Sequence, residues 1–149
     1  MSLFFHRNQE GIVIDYLIKE VELEEVYRLR HEVMWPNKSL DYIKIANDED
    51  GIHLGLLINE DLVSVISLFI SNDEAQFRKF ATKLSKQNKG YGSTLLNYSF
   101  NYLKDCGVKR VFCNARVDKS SFYSKFSMIL TNEKFIKSDQ EYVIMEKYL

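Results

Sequence analysis

The chain has 149 residues, enough for one domain with a real core. Apolar residues make up 46% and charged residues 28%, which excludes an intrinsically disordered chain. The formal net charge is −1, so no global basic field exists to gather nucleic acid or an anionic membrane, and neither partner is expected.

Residues 1–11 are interrupted by His6, Arg7 and Asn8 and read as a loose, flexible tail, leaving 12–149 as a single domain. No apolar leader core and no span of about 20 apolar residues follows, so a cytoplasmic chain is expected. Cys106 and Cys113 are seven apart with no C-x-x-C pairing, which suits reduced thiols in that compartment. His6, His31 and His53 have no ligand spacing, and no metal is expected.

In chain order, β-branched alternation over 12–18 predicts a first strand. Leu23, Val26, Tyr27, Leu29 and Val33 recur at helical spacing until Pro36 stops the pattern. A short segment over 39–46 follows, and the acidic run Asp48-Glu49-Asp50 reads as a solvated loop. Strands over 53–58 and 62–70 flank Asn59-Glu60-Asp61 as a hairpin, and 71–73 turns the chain into a strand over 75–82. A helix over 91–105 buries Leu95, Leu96, Phe100 and Leu103, with Gly107 as its C-cap. The apolar strand over 110–115 completes a strand-helix-strand crossover whose strands are parallel. Ser120 caps a short helix, and 131–136 with 141–148 form a last hairpin. This order is α+β, with a mixed, mostly antiparallel sheet.

The most pointed local signal is Gln87-Asn88-Lys89-Gly90-Tyr91-Gly92, a glycine turn opening the long helix. Helix-start N–H groups without intrahelical partners, backed by the helix dipole, make a phosphate site. A Walker loop does not fit, because Lys89 precedes Gly90 and no glycine stands five residues before it. A dinucleotide fingerprint does not fit either, because Leu95 occupies the third small position.

The spacing Gln-x-x-Gly-x-Gly resembles the acetyl-CoA loop of the GNAT (Gcn5-related) N-acetyltransferases. Three further segments resemble one bacterial branch of that family, in matching order over 12–149. They are Arg28-Leu29-Arg30-His31-Glu32-Val33, then Gln76-Phe77-Arg78-Lys79-Phe80-Ala81-Thr82, then Cys113-Asn114-Ala115-Arg116 with Phe122-Tyr123-Ser124-Lys125-Phe126. Asn88 stands where the branch often has glycine, and Ser127-Met128 where Gly-Phe is usual.

The resemblance implies the GNAT acyl-CoA N-acyltransferase fold, a twisted sheet flanked by helices and splayed into a central V. It implies acetyl-CoA as cosubstrate, with its pyrophosphate on Gln87, Asn88, Lys89, Gly90, Tyr91, Gly92 and Ser93. The pantetheine arm would follow Phe80, Ala81 and Thr82. Asn114 touches the cofactor or is a satisfied core polar residue. Tyr123 matches the family's acid, with a packing role as the other reading. A primary amine on a small molecule or peptide would attack the thioester directly, and a homodimer is left open. The alternative is a CoA-binding sensor or regulatory domain without turnover.

Other residues carry structural readings. Arg30 and Arg78 read as ion-paired or solvated rather than as acceptor ligands. His53 reads as buried and hydrogen-bonded, Cys113 as a small core hydrophobe. Trp35 packs at the end of the first helix or walls the acceptor cleft. No base is assigned among Glu74, Asp73, His53, Glu32 and His31.

Overall fold

The computed structural model describes residues Ser2–Arg7 and Val13–Leu149, with side chains from Tyr16 onward. The chain gathers into two interleaved compact units. One runs to Leu68 and resumes over Lys79–Ser99, and the other takes Phe69–Arg78 and Phe100–Leu149.

In the first unit, β1 (Ser2–Arg7) pairs antiparallel with β2 (Val13–Glu20), so part of the stretch read as a tail runs as a strand. The rest of that tail, and the start of the strand expected over 12–18, lie outside the described residues. Helix α1 (Leu23–Met34) carries Glu24 and Glu25 in its first turn, matching the positive end of its macrodipole. Its Val26 and Leu29 are buried with Val65 and Ala81, and Val21, Val33, Met34 and Leu62 close around them. Strands β3 (Ile52–Ile58) and β4 (Asp61–Ser71) form the expected hairpin, with Asn59 and Glu60 both left-handed (φ 49° and 68°) as a two-residue primed turn requires. The end of β5 (Glu74–Thr82) lies beside β4, where Ser64 Oγ donates to the Ala81 carbonyl at 3.1 Å and Lys83 N–H to the Val63 carbonyl at 2.8 Å.

In the second unit, the start of β5 runs parallel to β6 (Arg110–Arg116), as the crossover rule predicts. β6 pairs antiparallel with β8 (Gln140–Tyr148), and β8 with the edge strand β7 (Ile129–Lys137). Helix α2 (Tyr91–Asp105) starts in the first unit and ends in the second, where Gly107 (φ 85°) closes it. Val108 N–H reaches the Leu103 carbonyl and Gly107 N–H the Lys104 carbonyl, each at 3.0 Å, a Schellman closure. Helix α3 (Ser120–Ser124) is not capped by Ser120 as expected. The Ser120 hydroxyl donates backward to the Val117 carbonyl at 2.8 Å, and Lys119 occupies the cap position.

The acidic run corrects a second expectation. Only Glu49 and Asp50 are solvated, whereas Asp48 is 2% exposed and meets Arg30, itself fully buried. Two parallel bonds, Nη1 to Oδ2 at 2.8 Å and Nη2 to Oδ1 at 3.0 Å, join them. Arg30 also donates to Ser67 Oγ at 2.8 Å and to the Ile43 carbonyl at 3.3 Å, and Ile45 N–H donates to Asp48 at 2.8 Å. His53, buried as expected, lies with Nδ1 2.7 Å from Ser67 Oγ and donates through Nε2 to the Asp48 carbonyl at 2.7 Å. The network pins the connection between α1 and β3, a segment with little regular structure of its own.

Burial pushes the Asp48 carboxyl upward, but the Arg30 hydrogen bonds, the Ile45 N–H and the Arg30 charge outweigh it and hold the group below its ordinary value. A depressed carboxylate contributes stability that is complete above the unfolded value and fades as pH falls through the folded one. Asp48→Asn should therefore lower unfolding free energy by about 3 kcal/mol at neutral pH, because it strands a buried guanidinium. In urea titrations the gap from wild type should narrow below about pH 4. Replacing both partners, Arg30→Met with Asp48→Leu, should be less damaging than Asp48→Asn alone.

Candidate active site

The glycine turn lies in the first unit between β5 and α2. Thr94 supplies the first intrahelical bond, its N–H reaching the Gly90 carbonyl at 3.0 Å and its hydroxyl the same oxygen at 2.9 Å. The N–H groups of Tyr91, Gly92 and Ser93 therefore have no carbonyl of a preceding turn to take, and they sit at the positive end of the helix. Gly90 (φ 88°) and Asn88 (φ 61°) are both left-handed, a geometry that aims neighbouring N–H groups toward one side. Asn88 thus adopts the backbone for which the resembling branch uses glycine, at a modest cost for asparagine. Lys89 is exposed in the same turn and adds positive charge.

Two contacts tie this turn to the end of β5. The Gln87 amide donates to the Thr82 carbonyl at 2.9 Å. At Gly92, an added Cβ would lie 3.1 Å from Thr82 Oγ1 and 3.2 Å from the Phe80 ring, so glycine lets the helix begin close against the strand. Phe80, Thr82, Gln87 and Gly92 are in this way brought together, with Asn88, Lys89 and Gly90 exposed beside them. The Ala81 side chain is buried in the α1 cluster, and the Tyr91 side chain is also buried. Both positions therefore offer a ligand their backbone rather than their side chain.

Within β5, Lys79 is left-handed (φ 52°), a local departure from extended backbone inside the strand. Nothing in the sequence signals it, since no glycine or asparagine marks the position. In the second unit β5 bonds to β6 only through Glu74–Arg110, Ala75–Val111 and Gln76–Phe112. β6 continues through Cys113, Asn114, Ala115 and Arg116 against β8, so the two parallel strands part beyond Gln76.

Also in the second unit, the Tyr123 ring packs on Phe77 (centroids 5.7 Å apart) and edge-on to Phe122 (5.2 Å). Burial, and then the neighbouring Cys113, raise its phenol above the ordinary value of 10. Burial pushes the Cys113 thiol up to about 12, consistent with the small core hydrophobe expected. Tyr123 therefore keeps its proton across the whole working range. Its carbonyl accepts Phe126 N–H at 3.0 Å and Met128 N–H at 3.4 Å, around a left-handed Ser127 (φ 64°). The serine again adopts a backbone for which the resembling branch uses glycine.

Alternation in β6 buries Val111, Cys113 and Ala115 and turns Phe112, Asn114 and Arg116 to the other face. Asn114 is thus exposed, not a core polar residue, and points away from the Cys113 side. Trp35 is 40% exposed and meets Tyr42 edge-on at 5.4 Å, past the end of α1. Among the described residues, no group of His, Cys, Asp and Glu is placed to hold a metal ion, and no helix is long and apolar enough to cross a membrane.

The acetyltransferase (GNAT) family model matches residues 20–127. The uncharacterised N-acetyltransferase YitI of Bacillus subtilis (strain 168) is 28% identical over 142 residues, spanning 89% of this chain and 95% of its own. In fold, the chain is similar to the ribosomal-protein-S18-alanine N-acetyltransferase of Escherichia coli (TM-score 0.76, 18% identity, 89% of this chain and 93% of that one). It is also similar to the PaiA N-acetyltransferase of Thermoplasma acidophilum, solved with coenzyme A (TM-score 0.69, 19% identity, 90% and 99%). A glycine turn with open N–H groups, a strand that parts from its parallel neighbour and a family model spanning most of the chain agree: this protein belongs to the GNAT acetyltransferase family.

Proposed function

We propose that acetyl-CoA docks with its pyrophosphate on the N–H groups of Tyr91, Gly92 and Ser93, and that Lys89 adds charge to that grip. As a GNAT member the chain is an N-acetyltransferase, and its donor requires such a diphosphate seat. The observation that carries this reading is the α2 start, whose first N–H groups lack intrahelical partners and are set against β5 by Gly92. Phe80, Ala81 and Thr82 would pair with the pantetheine arm through their backbone. We also place the protein in the cytoplasm, where Cys106 and Cys113, both free, stay reduced.

The amine nitrogen attacks the thioester carbon, so a C–N bond forms as the C–S bond breaks. Negative charge on the carbonyl oxygen at the tetrahedral stage is met by backbone N–H near Ala81. The nitrogen gives up one proton and the departing sulfur takes one, leaving amide and free CoA thiol. Tyr123 serves the sulfur. A phenol raised above 10 is a weaker acid than an alkyl thiol, so it does not surrender its proton to the departing thiolate, but it donates a strong hydrogen bond to it. Stabilisation of the leaving group, rather than full acid catalysis, is therefore the role assigned.

Acetyl-CoA should raise the melting temperature, with about 2.7 kcal/mol of added stability when ligand stands about 100-fold above Kd. Gly90→Val puts a β-branched residue at a left-handed position and should reduce that shift. Tyr123→Phe should lower kcat about ten- to a hundredfold in a thiol-release assay with an amine panel, while the acetyl-CoA melting shift persists. Because the phenol titrates above 10, wild type and Tyr123→Phe should share the same alkaline limb up to pH 10. Thiol release that is absent with every amine, despite a melting shift, would favour a sensor over an enzyme.

A further inference from the structure

Resting on that reading, we propose that the acceptor is a small amine that also carries a carboxylate, held by Arg78, Asn114 and Arg116. All three residues belong to the second unit. Glu74 and Arg110 are register partners joined by an ion pair (3.4 Å), which defines one face of the paired strands. Strand alternation puts Arg78 on that face of β5, and Asn114 and Arg116 on that face of β6. The opposite face carries the buried Ala75, Phe77, Val111, Cys113 and Ala115. Continuing the register from Gln76–Phe112 sets Arg78 level with Asn114, where the strands have already parted.

The charges on this face are unevenly matched. Arg110 is satisfied by Glu146 at 2.6 Å and by Glu74. Arg78 is half-buried and has no ion pair or side-chain hydrogen bond among the described residues. Among the described residues Arg116 pairs with Asp118 alone, at 3.1 Å, an exposed pair of the weak kind that a ligand readily displaces. A half-withdrawn guanidinium without a counter-charge favours an arriving anion, and a planar carboxylate matches its forked donors. The Asn114 amide supplies another donor beside it.

The next strand adds a surface for the rest of the molecule. Tyr142 is the register partner of Arg116 and stacks on Phe135, with centroids 5.2 Å apart and planes 12° from parallel. A flat aromatic pair beside two guanidiniums suits an amino acid whose apolar or aromatic body lies on the rings while its carboxylate meets the arginines. Held by the carboxylate, such a molecule can direct its amine toward the opening between β5 and β6.

The test is a panel of free amino acids, each paired with its decarboxylated amine, for example phenylalanine with 2-phenylethylamine, assayed by thiol release from acetyl-CoA. The carboxylate-bearing member should win by about ten- to a hundredfold in kcat/KM for the preferred pair. Arg78→Gln and Arg116→Gln should each shrink that ratio, mainly through KM for the amino acid. The second site is exposed, so it remains informative if the first variant folds poorly. Equal or reversed preference in the wild type overturns the inference, as does a ratio that neither variant changes. A melting shift with acetyl-CoA but no acetylation of any amino acid also overturns it while leaving the donor reading in place. Absence of that shift, read without any amine, removes the donor reading and this inference with it.

Discussion

A parallel pair of strands stays together only while each peptide finds a partner across the ladder. Between β5 and β6 that condition holds for three residue pairs and then lapses. β6 does not lose order when it parts, because its other edge remains bonded to β8 through Arg116. β5 meets a left-handed residue at Lys79 soon after, and a residue of that shape cannot carry a flat ladder onward.

The positive end of α2 is equally a matter of backbone. Its side chains contribute little beyond Lys89 and the Gln87 tether, whereas Gly90 and Gly92 serve by what they lack. Gly90 permits the left-handed turn, and Gly92 permits contact with Thr82 and Phe80. A site built from peptide N–H groups is sensitive to shape and tolerant of substitution elsewhere. As proposed, it would hold a diphosphate without specifying what the diphosphate carries, which leaves acceptor choice to other residues.

Three arginines separate stability from recognition. Arg30 is buried and doubly bonded to Asp48, a pair whose function is to hold the α1–β3 connection in place. Arg110 is shared between Glu74 and Glu146 on the strand face. Arg78, on the same face as Arg110, is half-buried and has no charge partner among the described residues. Identical side chains thus differ in meaning according to the acids the fold brings near them, and only the unmatched one has binding capacity to spare.

Much of this was legible in the chain itself. Strand alternation, the helical spacing up to Pro36, the helix over 91–105 with Gly107 beyond it, and four ordered family segments were all readable, because each rests on neighbours close in sequence. The strand at Ser2–Arg7 was not, since its partner β2 rather than its own pattern makes it a strand. The burial of Asp48 was hidden because an acidic triplet looks solvated until an arginine 18 residues earlier folds over it. Sequence determined the elements and the glycine turn that opens α2, both properties of local backbone and periodicity. Tertiary structure decided the left-handed break at Lys79, the parting of β5 from β6 and the unmatched state of Arg78, because each depends on which distant groups arrive, or fail to arrive, as hydrogen-bonding and charge partners.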